Sequence, residues 1–224
     1  MKRRDILCGT LAVALAGAAP AISIRPIARP KGGKIRVAFL VSSSADVIDL
    51  AGPWETFQDV MIGDEMPFEL MAISETTSIV EMTGGLRVEP TYSFDGLDAW
   101  PHVIVVGAQS NGSPKVMELL QRAQGRVDIT MSVCTGAFKL AKAGILDGKS
   151  ATTHHEFYDD FAKQFPKVNL VRGERFVDNG SIITAGGLTS GISAALHVVA
   201  RYYDTETAAR TAAYMEFVPT ARPA

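Results

Sequence analysis

Cysteine is nearly absent from this chain: two occur in 224 residues, Cys8 and Cys134. That excludes a disulfide-stapled scaffold and a cysteine-rich zinc module. Histidine is scarce as well, with four, and the H-E-x-x-H spacing does not occur. Zinc needs three or four convergent ligands, so the adjacent His154, His155 and Glu156 do not read as a metal site. An excess of one charge sign is also missing. The formal net charge is −2, which gives no electrostatic footing for nucleic acid or another polyanionic partner. Repeats and low-complexity tracts are lacking, and 47% hydrophobic with 21% charged residues is the make-up of an ordinary globular chain. The length suits one α/β domain around one core.

The start of the chain differs from the rest. Lys2, Arg3 and Arg4 are followed by Ile6 to Ala19, apolar and rich in Ala, Leu and Gly, and then by Ala19-Pro20-Ala21. Basic, apolar and small-residue regions in that order read as a bacterial signal peptide over residues 1–21, too short and too weakly hydrophobic for a membrane span. Arg3-Arg4 ahead of Ile6-Leu7 resembles a twin-arginine signal, although Asp5-Ile6 departs from its usual polar-Phe pair. The expectation is a periplasmic protein with no membrane attachment after cleavage. A cytosolic start with a helical tail is the competing reading. Residues 22–33 carry Pro26, Pro30, Gly32 and Gly33 and read as a tether, leaving 34–218 as the folded domain. Cleavage removes three positive charges and one negative, taking the formal charge to about −4. It also removes Cys8. Cys134 is then alone, and a lone thiol in an oxidising compartment is either reactive or buried and inert.

Downstream, short apolar runs alternate with helical stretches. Ile35 to Val41, Phe68 to Ser74, Val103 to Val106 and Val127 to Val133 read as strands, three of them continuous enough to be buried on both faces. Thr83-Gly84-Gly85 and Asn179-Gly180 mark hairpins. Helices are expected over Trp54 to Met61, with Pro53 at its first turn, and over Pro114 to Ala123, Ala137 to Ala143 and Glu156 to Phe165. Two more follow, Ile192 to Tyr203 capped by Ser190 and Glu206 to Phe217, and Gly144 sits at a C-cap. This alternation implies a mostly parallel sheet covered by helices on both faces, with sites at the carboxyl ends of strands.

Three segments stand at such ends: Asp49-Leu-Ala-Gly52-Pro53, Gly107-Ala108-Gln109 and Cys134-Thr135-Gly136. A nucleophile between strand and helix is lifted clear of the sheet, and the helix N–H groups favour its anion. Gly136 permits such a turn. These residues alone fit a buried structural cysteine equally well. Asp49 likewise fits a helix-start cap. Trp54 and Phe57, at i and i+3, read as core or as a dimer face together with Met61, and His197 reads as core.

Ser132-Val-Cys134-Thr-Gly-Ala, Gly144-Ile-Leu-Asp-Gly148, Ala151-Thr-Thr-His154, Asp49-Leu-Ala-Gly-Pro53 and Ala185-Gly-Gly-Leu-Thr-Ser-Gly191 together resemble the ThiJ/PfpI family of the class I glutamine amidotransferase-like superfamily. The resemblance covers about Ile35 to Tyr203. It implies a single-domain, three-layer, flavodoxin-like sandwich, and a homodimer. The most similar branch by motif holds isonitrile hydratase and the amidotransferase-like domain of some AraC-type regulators: Asp49 stands before Gly-Pro, Thr135 follows the cysteine, and Thr189-Ser-Gly191 matches. With seven residues after Phe217 and an export signal, a regulator is not expected. Two departures bear on substrate: Gly107-Ala108-Gln109 replaces Pro-Gly-Gly, and Ser193 stands where many relatives carry Asp.

The resemblance implies Cys134 as nucleophile, Asp49 facing it as proton carrier, Thr135 orienting substrate or water, and His154 as base or pocket wall. Gly52, Gly107, Ala108, Gln109 and Thr189 would line the substrate, a small molecule, with neither cofactor nor metal. The activity implied is hydration of an isonitrile to an N-substituted formamide. A glyoxalase- or hydrolase-like reaction on small carbonyl compounds and a cysteine redox sensor are the alternatives. A thiol partly ionised at neutral pH is expected from the helix N-terminus. One test concerns the leader alone. Protein purified from its native cells should begin near Ile22, and N-terminal sequencing that finds Met1 or Lys2 contradicts export with cleavage.

Overall fold

The computed structural model describes residues 25–108 and 112–218; the stretch read as a signal peptide lies outside them. In chain order the elements are β1 (Ile35–Leu40), α1 (Val47–Gln58), β2 (Phe68–Ser74), β3 (Val80–Glu81), β4 (Arg87–Val88), β5 (Tyr92–Ser93), β6 (Val103–Val106), α2 (Pro114–Ala123), β7 (Ile129–Ser132) and α3 (Gly136–Lys142). They continue with β8 (Ser150–Ala151), α4 (Tyr158–Gln164), β9 (Asn169–Leu170), β10 (Phe176–Asp178), β11 (Ile182–Ala185), α5 (Ser190–Tyr202) and α6 (Thr205–Tyr214). Seven strands make the central sheet in the order β10-β11-β7-β6-β1-β2-β5. All neighbours are parallel except the β10–β11 hairpin. The expected α/β three-layer sandwich with a mostly parallel sheet is therefore what the chain forms.

Period-two alternation explains how one strand serves two cores. Val37 and Phe39 of β1 face the side where Phe57 of α1 and Ala194, Val198 and Val199 of α5 pack. Ala38 and Leu40 face the other side, against Leu119 of α2, Leu140 of α3 and Phe161 of α4. Strands so covered must be apolar throughout, and all four residues of β6 and of β7 are buried.

Several helix boundaries differ from expectation. The first helix begins at Val47, a full two turns before Trp54, and holds Pro53 inside it. Proline there removes the bond to the Asp49 carbonyl, one bond in a twelve-residue helix, and burial of Gly52, Pro53, Thr56 and Phe57 offsets that loss. Gly52 packs tightly, since a Cβ on it would lie 3.0 Å from Cγ1 of Ile192 in α5 and that side chain would have to shift. The long apolar helix starts at Ser190, so Thr189, not Ser190, is its N-cap. The last helix ends at Tyr214 and is capped by Asp204, whose carboxylate accepts from the Thr207 N–H at 2.7 Å. Phe57 is fully buried and Trp54 packs on Phe39 with ring centroids 4.8 Å apart, so both belong to the core; Met61 is exposed.

A buried charged cluster fastens the last long helix to the hairpin. His197 meets Asp178 at 2.8 Å, and Arg201 pairs with the same carboxylate at 3.3 Å. Arg201 Nε also donates to the Arg25 carbonyl at 2.8 Å, and the Ile27 N–H donates to the Arg201 carbonyl at 2.8 Å. The described part of the segment read as a tether is thus hydrogen-bonded to the domain.

Among the described glycines, Gly136 makes the closest approach to another backbone segment. A Cβ there would fall 2.1 Å from the Val106 carbonyl oxygen, a backbone atom that cannot swing aside. Gly136→Ala should lower stability by about 3 kcal/mol or more, because β6 and the start of α3 must separate. Urea denaturation checks this; a midpoint equal to wild type contradicts the packing described.

Candidate active site

Four carboxyl-end segments of adjacent strands converge. In the sheet order, β6 and β2 flank β1, so the chain runs to opposite sides of β1, and the crevice between β1 and β6 is a topological switch point. Asp49 comes from α1 after β1. Gly107 and Ala108 follow β6, Cys134 follows β7, and Gly186 to Leu188 follow β11.

Cys134 occupies a left-handed conformation, φ 58°, between strand and helix. A non-glycine residue held there stores strain of about 1–3 kcal/mol. Two bonds hold it in place: its N–H donates to the Gly186 carbonyl at 2.9 Å, and the buried Thr153 hydroxyl donates to its carbonyl at 2.8 Å. The thiol is enclosed, with the residue 4% exposed. Leu188, also left-handed at φ 54°, presents its N–H to both the Cys134 sulfur and the Asp49 carboxylate.

Asp49 is 1% exposed. Its Oδ2 accepts from the Ala108 N–H at 2.8 Å, and Oδ1 has no partner among the described residues. Asp46, Asp49 and Cys134 each place one ligand atom within 4.8 Å of the other two. A water-sized space of about 10 Å³ lies beside Asp49, bounded by Ala45, Asp46, Leu50, Met82 and Gly107. Three such ligands are one short of a closed zinc site, and the buried ammonium of Lys139 stands nearby. The group is better described as a thiol among carboxylates.

Burial first, and those carboxylates second, act against one expectation. Burial, then Asp49, push the Cys134 thiol up to about 12, against the N–H of Thr135. The helix N-terminus does not win, because burial strips the thiolate of water and two acidic groups face the sulfur. At neutral pH the resting thiol is protonated. Asp49 is raised from 3.8 to about 6, by burial foremost and by Asp46, while the N–H groups of Ala108 and Leu188 and the charge of Lys139 pull it down. A carboxylate of that proton affinity is suited to take and return a proton near neutrality.

The remaining expected residues divide. Thr135 is the N-cap of α3, half-buried, with its N–H toward the sulfur. Gly107 lies against Asp49, 3.0 Å from a Cβ to the aspartate Cβ, and the Ala108 N–H, expected to serve substrate, is committed to Asp49. The Thr189 hydroxyl accepts from Arg175 at 3.4 Å, and Ser193 accepts from the same guanidinium at 2.8 Å. His154 packs on Gly187, stacks on His155 with centroids 4.5 Å apart, and accepts the Glu156 N–H at 3.3 Å. Its neighbour Thr153 is what touches Cys134. Gln109 lies outside the described residues. Three groups were missed: Asp46, Leu188 and Lys139. No sequence signal marks them, since Leu188 acts through its backbone and Lys139 reads as an ordinary helix-surface lysine.

Comparison with known proteins gives the family. The profile of the DJ-1/PfpI family matches residues 35–201. The chain belongs to the DJ-1/PfpI family. Among its members, isonitrile hydratase of Pseudomonas putida is 26% identical over 83% of this chain and 79% of its own. The HTH-type transcriptional regulator GbdR of Pseudomonas aeruginosa is 28% identical over 77% of this chain, which spans about half, 48%, of that regulator. A solved ThiJ/PfpI family protein from Pseudomonas syringae superposes with a TM-score of 0.74 at 25% identity, covering 84% of this chain and 77% of that one.

Asp49 binds its proton more tightly folded than unfolded. Its contribution to stability is whole below about pH 3.8 and is lost as pH rises through about 6. The stability difference between wild type and Asp49→Asn should therefore fall by about 3 kcal/mol across that window and stay flat above it. Urea denaturation of both proteins at matched pH measures it; a difference independent of pH contradicts the buried carboxylate.

Proposed function

We propose that this protein is a cysteine-dependent hydratase acting on isonitriles, a carbon–oxygen lyase, in the periplasm if residues 1–21 direct export. The observation that carries the reading is the pairing of the enclosed Cys134 thiol with the buried Asp49 carboxylate within 4.8 Å. Hydration of R–N≡C adds sulfur and hydrogen to the same terminal carbon. Nucleophile and proton donor must then stand side by side, as these two do. The similarity to isonitrile hydratase supports the same reading.

In the proposed reaction Asp49 takes the thiol proton as the sulfur bonds to the terminal carbon. That proton passes to the same carbon, giving the thioimidate R–N=CH–S bound to Cys134. Water adds to the carbon, the C–S bond breaks, and the sulfur recovers a proton as R–NH–CHO leaves. An enclosed sulfur suits the slender end of an isonitrile, and Thr135 and Leu188 offer N–H groups that stabilise the anion as it forms.

Purified protein given an alkyl isonitrile should release the N-substituted formamide, followed by mass spectrometry. Cys134→Ser should lower the rate about a thousandfold or more, and Asp49→Asn about a hundredfold. Lactate from methylglyoxal with no formamide from the isonitrile would replace this reading with a glyoxalase-like one. Full activity in Cys134→Ser removes the cysteine from the chemistry.

A further inference from the structure

Lys139 is the one buried lysine among the described residues, 4% exposed, in the second turn of α3. Burying an ammonium is costly unless it is paired. Yet its Nζ makes no direct ion pair among the described residues and donates to the Gly107 carbonyl at 3.3 Å. That carbonyl belongs to the same peptide group as the Ala108 N–H, which donates to Asp49 Oδ2 at 2.8 Å. One peptide plane thus joins the lysine to the aspartate, ammonium on its oxygen and carboxylate on its N–H. An ammonium on the carbonyl oxygen polarises the peptide and strengthens the N–H as a donor, the cooperative effect of a hydrogen-bonded chain.

We infer that Lys139 is a positioning residue that keeps Asp49 ionised through the Gly107–Ala108 peptide, so that Asp49 is able to accept the Cys134 proton. The inference rests on the reading of Asp49 as proton acceptor for Cys134, and does not depend on which substrate the thiol attacks. The titratable groups facing this chain of contacts are Asp46, Asp49 and Cys134. Burial lowers Lys139 to about 7, with Asp49 and then Cys134 drawing it back up. Each group favours the charge of the other: the ammonium lowers Asp49, and the carboxylate raises Lys139. Removing the ammonium leaves Asp49 between Asp46 and the apolar wall, with nothing but backbone N–H groups to favour its anion.

The test is the pH profile of Cys134 alkylation by iodoacetamide, which needs no substrate and reads the proton acceptor directly. In wild type the acid limb should lie near pH 6, set by Asp49. Lys139→Met, neutral and close in shape, should move that limb up by about one unit, a fall of about tenfold in rate below it. Lys139→Arg keeps the charge and should return the limb toward wild type even if it packs less well. A limb unmoved in Lys139→Met, or moved equally by Lys139→Arg, overturns the inference. Formamide assays on the same proteins separate the two claims: a shifted alkylation limb without isonitrile turnover keeps this inference and removes only the proposed substrate.

Discussion

A carboxylate buried against a thiol is the constraint on which the rest of the site depends. Asp49 gives up almost all contact with water, and its charge is answered by the N–H of Ala108, the N–H of Leu188 and the more distant ammonium of Lys139. Each of these needs a particular backbone path. Ala108 requires β6 to end beside α1, Leu188 requires a left-handed residue before α5, and Cys134 requires another before α3. Gly107 and Gly136 have no side chain because the Asp49 side chain and the Val106 carbonyl occupy the space. Stability is given up at these strained positions and recovered in the two cores on either face of the sheet.

The same constraint shapes the chemistry. An exposed thiol with a helix end beneath it reacts as a resting thiolate. This one is pushed toward the protonated form by burial and then by its acidic neighbours, and in the proposed reaction its proton moves to Asp49. The sulfur is enclosed, with Cys134 4% exposed, and an acidic group stands beside it. In the DJ-1/PfpI family the same fold appears in an enzyme and in transcriptional regulators, so what the thiol does is set by such local groups and not by the sheet.

Much of the frame was legible because it follows from patterns of apolar residues. The runs IRVAFL and VIVV are strands buried on both faces, and Asn179-Gly180 makes its hairpin with φ 90° at Gly180. Cys134-Thr-Gly136 was legible as a strand-to-helix turn for the same reason. Pro53 misled, because proline marks a helix start in sequence but is tolerated in the second turn when its neighbours are buried. The proton affinity of Cys134 was not legible: it sums burial, the charges of Asp49 and Asp46, and a backbone N–H from Leu188, all far from it in sequence. Nor was Lys139, whose role is defined by a carbonyl 32 positions away.

The central claim is that Cys134 rests as a thiol beside a carboxylate that titrates near neutrality. Carbon NMR of protein labelled at the cysteine Cβ and the aspartate carboxyl carbons reads both groups in one pH series, with Asp49→Asn assigning the aspartate signal. The account predicts a carboxyl transition near pH 6 at Asp49 and a Cys134 signal that stays that of a thiol until well above about pH 9. A thiolate signal with a midpoint below about 8.5, the value of a free cysteine, contradicts it.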